Sequence, residues 1–152
     1  MRKGGPITAV ATKTLAPDAL LKLAVKTIDA VKGLEPVVLE VKGACSFADY
    51  FLICSGTSRR HVLALAQRLE EALSQAGVKP LGVEGLQEGL WVLMDYNDVV
   101  VHIFSQELRQ FYDLEGLWAE APKTYPTPPP SALALTSQDP VQNPESESES
   151  SS

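Results

Sequence analysis

Cysteine is scarce in this 152-residue chain: Cys45 and Cys54 are the only two, nine positions apart. They form no Cys-x-x-Cys pair and have no histidine at metal-ligand spacing, which argues against a zinc site or a disulfide framework. Both read as reduced thiols of a cytoplasmic protein. Long apolar runs are missing too, and none approaches the roughly 20 residues that a membrane-spanning helix needs. Basic charge is in short supply: 13 Lys and Arg stand against 19 Asp and Glu, a formal net charge of -6. That balance is the opposite of the cationic footprint by which proteins neutralise nucleic-acid phosphates, so little direct nucleic-acid binding is expected. Gly82, Gly85 and Gly89 are spaced wrongly for a dinucleotide fingerprint, and no Gly-Lys-Ser/Thr occurs, so a phosphate loop is not expected either.

What is present is enough for one core, since 45% of the residues are hydrophobic. Three segments follow from composition. Residues 1–15 form an N-terminal extension carrying Arg2, Lys3 and Lys13 without an acid; a transit segment is the other reading of that pattern. Residues 16–120 form the domain. Residues 121–152, with Pro128 to Pro130 and the alternating Glu and Ser of the last positions, form a tail too poor in apolar surface to offset its ordering entropy, hence disordered.

Within the domain, Pro17, Asp18 and the spacing of Leu21, Val25, Ile28 and Val31 predict a helix that stops at Gly33. Val37–Val41 and Tyr50–Cys54 predict two strands. Ser58 is placed to cap a helix whose apolar face is Val62, Leu65, Ala66, Leu69 and Leu73. Residues 80–84 read as a short edge strand, and 106–118 as a helix whose Leu108, Phe111, Tyr112, Leu114 and Trp118 can close the core. The expected class is α/β, a mixed β-sheet with flanking helices.

Leu90–Asp95 and Val99–Phe104 predict a β-hairpin. A two-residue loop at Asn97-Asp98 pairs residues whose numbers sum to 195, which puts Leu90, Val92 and Met94 on one face with Val99, Val101 and Ile103. Trp91, Leu93, Asp95, Val100, His102 and Phe104 then share the other, aromatic and polar face. Such a face is either covered by a helix or offered to a partner, and it is open if both long helices pack on the aliphatic side. Asp95, Asp98 and His102 are the only close set of ionisable groups suited to acid-base work, with no Ser, Lys or Cys nucleophile beside them. Gly56-Thr57-Ser58 could hold an anion on free N–H groups or simply cap the helix that follows. Arg59, Arg60 and His61 in its first turn are either a surface for an acidic partner or solvated side chains.

Four blocks in order resemble the Iojap/RsfS family: Asp49-Tyr50-Phe51-Leu52-Ile53-Cys54-Ser55-Gly56-Thr57-Ser58-Arg59-Arg60-His61-Val62, then Gly82-Val83-Glu84-Gly85, then Trp91 through Phe104, then Arg109-Gln110-Phe111-Tyr112-Asp113-Leu114-Glu115-Gly116-Leu117-Trp118. The resemblance implies a domain of nucleotidyltransferase-like shape without that activity, no cofactor or metal, and a homodimer when free. It also implies docking on the large ribosomal subunit through ribosomal protein L-fourteen, blocking small-subunit joining and so repressing translation when nutrients are short. The family's surface is associated with the Trp-x-x-x-Asp segment, here Trp91 and Asp95; hairpin geometry extends it to Leu93, Val100, His102 and Phe104. A large-subunit assembly adaptor and a nucleotide-binding enzyme on the same fold are the alternatives.

Overall fold

A computed structural model describes residues 15–126. Its elements are α1 (Pro17–Ala30), β1 (Leu34–Glu40), β2 (Tyr50–Gly56), α2 (Arg59–Gln75), β3 (Gly82–Glu84), β4 (Trp91–Asp95), β5 (Val99–Ser105), α3 (Gln106–Tyr112), α4 (Leu114–Leu117) and β6 (Lys123–Tyr125). The six strands form one mixed sheet in the order β3-β4-β5-β2-β1-β6. Only β2 and β5 of these run parallel; every other neighbouring pair is antiparallel.

The parallel pair is central, and β2 is covered on both sides, which is why Phe51, Leu52, Ile53 and Cys54 form an unbroken apolar run. Leu52 and Cys54 point into one apolar cluster with α1 and α2, through Leu20, Ala24, Ile28, Leu65, Leu69 and Leu73. Phe51 and Ile53 point into a second cluster on the opposite face, with Val37, Leu39, Val100 and Phe104. The second cluster is closed by the segment after β5, through Leu108, Leu114, Trp118 and Ala121.

Local signals in the chain account for most boundaries. Pro17 stands in the first turn of α1 and Ser58 caps α2, its hydroxyl accepting from the His61 N–H at 3.1 Å. The hairpin forms in the expected register: Trp91 faces Phe104, Leu93 faces His102 and Asp95 faces Val100, with Asn97 at φ 75° in the loop. The Asp98 carbonyl accepts the N–H groups of Asp49 and Tyr50, which ties the hairpin loop to the start of β2.

Two departures from expectation concern the end of the domain. The expected helix over 106–118 breaks at Asp113, which adopts the left-handed conformation (φ 48°, ψ 53°) and whose side chain caps the short α4 by accepting from the Gly116 N–H. The sheet also runs past the boundary expected at residue 120, because β6 pairs with β1 through Val38 with Tyr125 and Leu39 with Lys123. The remainder of the expected tail, residues 127–152, and most of the expected N-terminal extension lie outside the described residues.

What fixes α3 and α4 over the sheet is Arg109, buried at the end of the second cluster. Its Nε and one terminal nitrogen donate to the two carboxylate oxygens of Glu115 at 3.0 and 2.9 Å. The other contacts go to the carbonyls of Leu34 and Glu35 and to the Ser55 hydroxyl, at 3.2, 2.8 and 3.0 Å. All five N–H groups of the guanidinium thus have a partner. Arg109→Ala leaves those acceptors facing a cavity and should destabilise the domain by roughly 3 kcal/mol, towards the low end of the range for breaking a buried ion pair because Glu115 keeps some solvent contact. Urea denaturation checks this, and Arg109→Lys should recover little, since an ammonium cannot reproduce the two-pronged contact.

Candidate functional site

The face opposite α1 and α2 carries a continuous aromatic assembly. Trp91 stacks on Phe104 with ring centroids 4.8 Å apart and lies 4.9 Å from Tyr112 of α3. Tyr112 in turn meets Phe111 edge to face at 5.0 Å. At the other end His102 contacts Phe51 edge to face at 4.9 Å, and Phe51 meets Trp118 at 5.5 Å and Phe47 at 6.1 Å. Offset and edge-to-face geometries of this kind add rigidity beyond the area they bury.

The six residues expected on this face do lie on it, yet they divide into two depths. Val100, His102 and Phe104 are buried, at 3%, 5% and 0% exposure, whereas Trp91, Leu93 and Asp95 are half-buried at the margin. The expectation of an open face is corrected accordingly. Both long helices do pack on the aliphatic side, but α3 and α4 cover the centre of this one and leave its β4 rim accessible. A second correction concerns α3, which faces the sheet with Leu108 and Arg109: Phe111 and Tyr112, expected in the core, stand 76% and 50% exposed. Leu108, Leu114 and Trp118 pack as expected. Sequence spacing could not separate these groups, because an unbroken helix would have carried all five to one side.

Trp91 is positioned from two directions. Its indole N–H donates to Nδ1 of His102 at 3.2 Å, so the imidazole proton resides on Nε2, which is buried without a hydrogen-bond partner among the described residues. Behind it, the loop before β4 passes so close that a methyl group at Gly85 (φ +91°) would collide with the Trp91 carbonyl. Asp95 uses its carboxylate locally, accepting the Asn97 N–H at 2.8 Å, as an aspartate at a turn is suited to do.

Burial pushes the Cys54 thiol and the Tyr96 hydroxyl up to about 12, which leaves neither as a nucleophile near neutrality. Among the described residues no group of three or more His, Cys, Asp and Glu side chains is arranged to hold a metal. A polar cleft does open where α2 and α3 leave the parallel strands, lined by Thr57, Ser58, Arg59, Ser105, Gln106 and Gln110. Three backbone donors at the cleft are engaged inside the fold: the Ser58 and Ser105 hydroxyls accept from the His61 and Leu108 N–H groups, and the Thr57 N–H donates to Nδ1 of His61. His61 is tied into the fold through both ring nitrogens. Its Nε2 lies 2.8 Å from the Val31 carbonyl, linking the end of α1 to the start of α2.

Against this geometry the comparisons with known proteins are decisive. Residues 14–152 match the family model described as "Ribosomal silencing factor during starvation". The chain belongs to the ribosomal silencing factor (RsfS) family. It is 43% identical over 103 residues to the ribosomal silencing factor RsfS of Halalkalibacterium halodurans, covering 68% of this chain and 88% of that one. A crystal structure of a Chromobacterium violaceum protein superposes with a TM-score of 0.67 at 35% identity, covering 69% of this chain and 88% of the other. A more distant relative, "Mitochondrial assembly of ribosomal large subunit protein 1" of Mus musculus, is 32% identical over 84 residues, which is 53% of this chain and 37% of that protein. No described helix is long and apolar enough to cross a membrane.

Burial pushes the His102 imidazole down from 6.5 to about 4. Above pH 6.5 both the folded and the unfolded chain hold it neutral, and the stability of the aromatic face is fully present. As pH falls from 6.5 towards 4 only the unfolded chain takes up the proton, so stability drops by at most about 1.4 kcal/mol per pH unit from this group. Glu115, held below its ordinary 4.5 by the Arg109 hydrogen bonds, contributes its own loss only at lower pH. Urea midpoints should therefore decline between pH 6.5 and 4.5 in the native protein and decline less in His102→Gln; parallel profiles would show that His102 is not the titrating group.

Proposed function

We propose that this RsfS-family protein docks on the large ribosomal subunit through the margin of its aromatic face and keeps the small subunit from joining by occupying space at the joining surface. Trp91, Leu93 and Asp95 make the contact, and Val100, His102 and Phe104 lie beneath as its rigid support. Trp91 carries this reading: a half-exposed indole locked by a hydrogen bond and a stacked ring is the anchor type that dominates protein interfaces, with little rotamer entropy left to lose on binding. The partner is ribosomal protein L-fourteen, and the outcome is repression of translation under nutrient limitation in the cytoplasm. Catalysis has no part in the mechanism, in keeping with a site built for contact.

Acidic charge fits the same scheme. A net charge of -6 steers the protein towards basic ribosomal proteins and away from bare RNA. The mitochondrial relative is named for assembly of the large subunit, and an assembly adaptor would use the same docking but have no effect on joining of mature subunits. Homodimerisation of the free protein finds its best support at the sheet edge, where β3 has a side unpaired among the described residues and is flanked by exposed Leu81 and Leu86.

Trp91→Ala should fold, since the residue is only half-buried, and should weaken binding to purified large subunits by roughly 30-fold or more, the loss typical of an interface anchor. Co-sedimentation at graded subunit concentration measures the affinity, and light scattering on adding small subunits measures joining. Undiminished binding by a folded variant would place the contact elsewhere, and binding without inhibition of joining by the native protein would favour the adaptor.

A further inference from the structure

The α3–α4 segment bears a ridge that lies outside the Trp91 contact. Phe111 is 76% exposed and meets Tyr112 edge to face, and Tyr112 joins it to the Trp91 rim by its 4.9 Å ring contact; Leu117, 77% exposed, lines a separate hollow with Glu40 and Lys42. Large apolar side chains gathered at the surface in this way mark a contact site. The exposed charges of α3 and its end are acidic, Glu107 and Asp113, while the one base of that helix, Arg109, is buried and spent on Glu115 and three other acceptors; the nearest exposed bases lie to either side, Arg59 in the cleft that Glu107 also lines and Lys42 beside Leu117. Glu107 stands one helical turn before Phe111 on α3, so acid and aromatic share a face of that helix.

We propose that Phe111 and Tyr112 form a second docking element, contiguous with Trp91, that seats on a basic protein surface through aromatic contact with the aliphatic stems of its Lys and Arg side chains, with Glu107 and Asp113 meeting their charged ends. This rests on the large-subunit docking proposed above and states which chemistry the partner presents. Protein is favoured over RNA because the two exposed acids beside these rings would repel phosphates. It is favoured over a second copy of this chain because a two-fold contact would set the acids of one ridge against those of the other. Arg109 acts on the ridge as a positioning residue, holding α3 and α4 in place without touching the partner.

The full chain with Phe111→Ala, and separately with Glu107→Gln, is assayed for binding to purified large subunits beside Trp91→Ala. Both substituted positions are exposed, and circular dichroism with a melting curve confirms the fold. Phe111→Ala should weaken binding by about tenfold or more, chiefly by faster dissociation, and Glu107→Gln should slow association severalfold at low salt with little change at high salt. Protein-stripped large-subunit RNA should not compete. If Trp91→Ala loses binding while Phe111→Ala stays within about twofold of the native protein, the ridge is not a docking element although the docking face stands. If neither variant loses affinity, the docking face is misplaced and this proposal falls with it. Competition by the stripped RNA, or a change in sedimentation of the free protein on Phe111→Ala with subunit binding intact, would each overturn it in favour of RNA or of self-association.

Discussion

A guanidinium taken out of water must find an acceptor for each of its N–H groups, and at Arg109 that requirement organises the upper face of the sheet. Its acceptors come from the start of β1, the end of β2 and the turn of α4, residues up to 75 positions away along the chain. One of them, the Glu35 carbonyl, belongs to a residue at φ 46° in the irregular start of β1. The side chain can be satisfied only when the sheet has formed and α3 has turned back across it. Arg109 therefore couples the closure of the second cluster to the sheet itself, in a way that a slippery apolar contact between α3 and the strands would not.

This coupling explains the unequal exposure of the aromatic face. With α3 held at that place, Leu108 and Leu114 reach the core, Phe104 and His102 are sealed, and Tyr112 is left against the flank of Trp91. The hydrogen bond from Trp91 to His102 needs a neutral imidazole, and the dry setting supplies one by pushing its protonation well below neutrality. Burial, stacking and hydrogen bonding thus cooperate on a single indole. A partner that meets it finds a side chain already ordered, so that the proposed contact loses little to immobilisation.

Much of this arrangement is legible in the residues alone. The hairpin register follows from a two-residue loop with Asn97 at its first position, and the two-faced burial of β2 from an apolar run too short for a helix. Sequence pattern is blind where a local exception or a distant partner decides the outcome. Asp113 interrupts a stretch whose spacing stays helical, and its left-handed backbone frees Leu114 and Trp118 to reach the core from α4, while α3 turns Leu108 and Arg109 inward and leaves Phe111 outside. Lys123-Thr124-Tyr125 lies between prolines in a region of tail-like composition, yet the open edge of β1 recruits it as a strand. Arg109 resembles one more surface base, since nothing local reveals that two of its acceptors are main-chain carbonyls 75 and 74 residues earlier.

Where hydrogen-bonding capacity is spent also bears on the proposed docking. Its parallel strands β2 and β5 send their helices to opposite faces, the arrangement that in open sheets creates a ligand crevice at the strand ends. Here Ser58, Ser105 and His61 occupy the donors that would greet a phosphate, each with a contact inside the fold. The side chains of Arg59, Gln106 and Gln110 also line this crevice, while the large aromatic side chains collect on the neighbouring face. Groups that are satisfied internally have little to gain from a small anionic ligand, whereas exposed aromatics held rigid beside exposed acids gain most from a large, basic, partly apolar surface. For the proposed docking, the distribution of unsatisfied capacity matters more than the fold class.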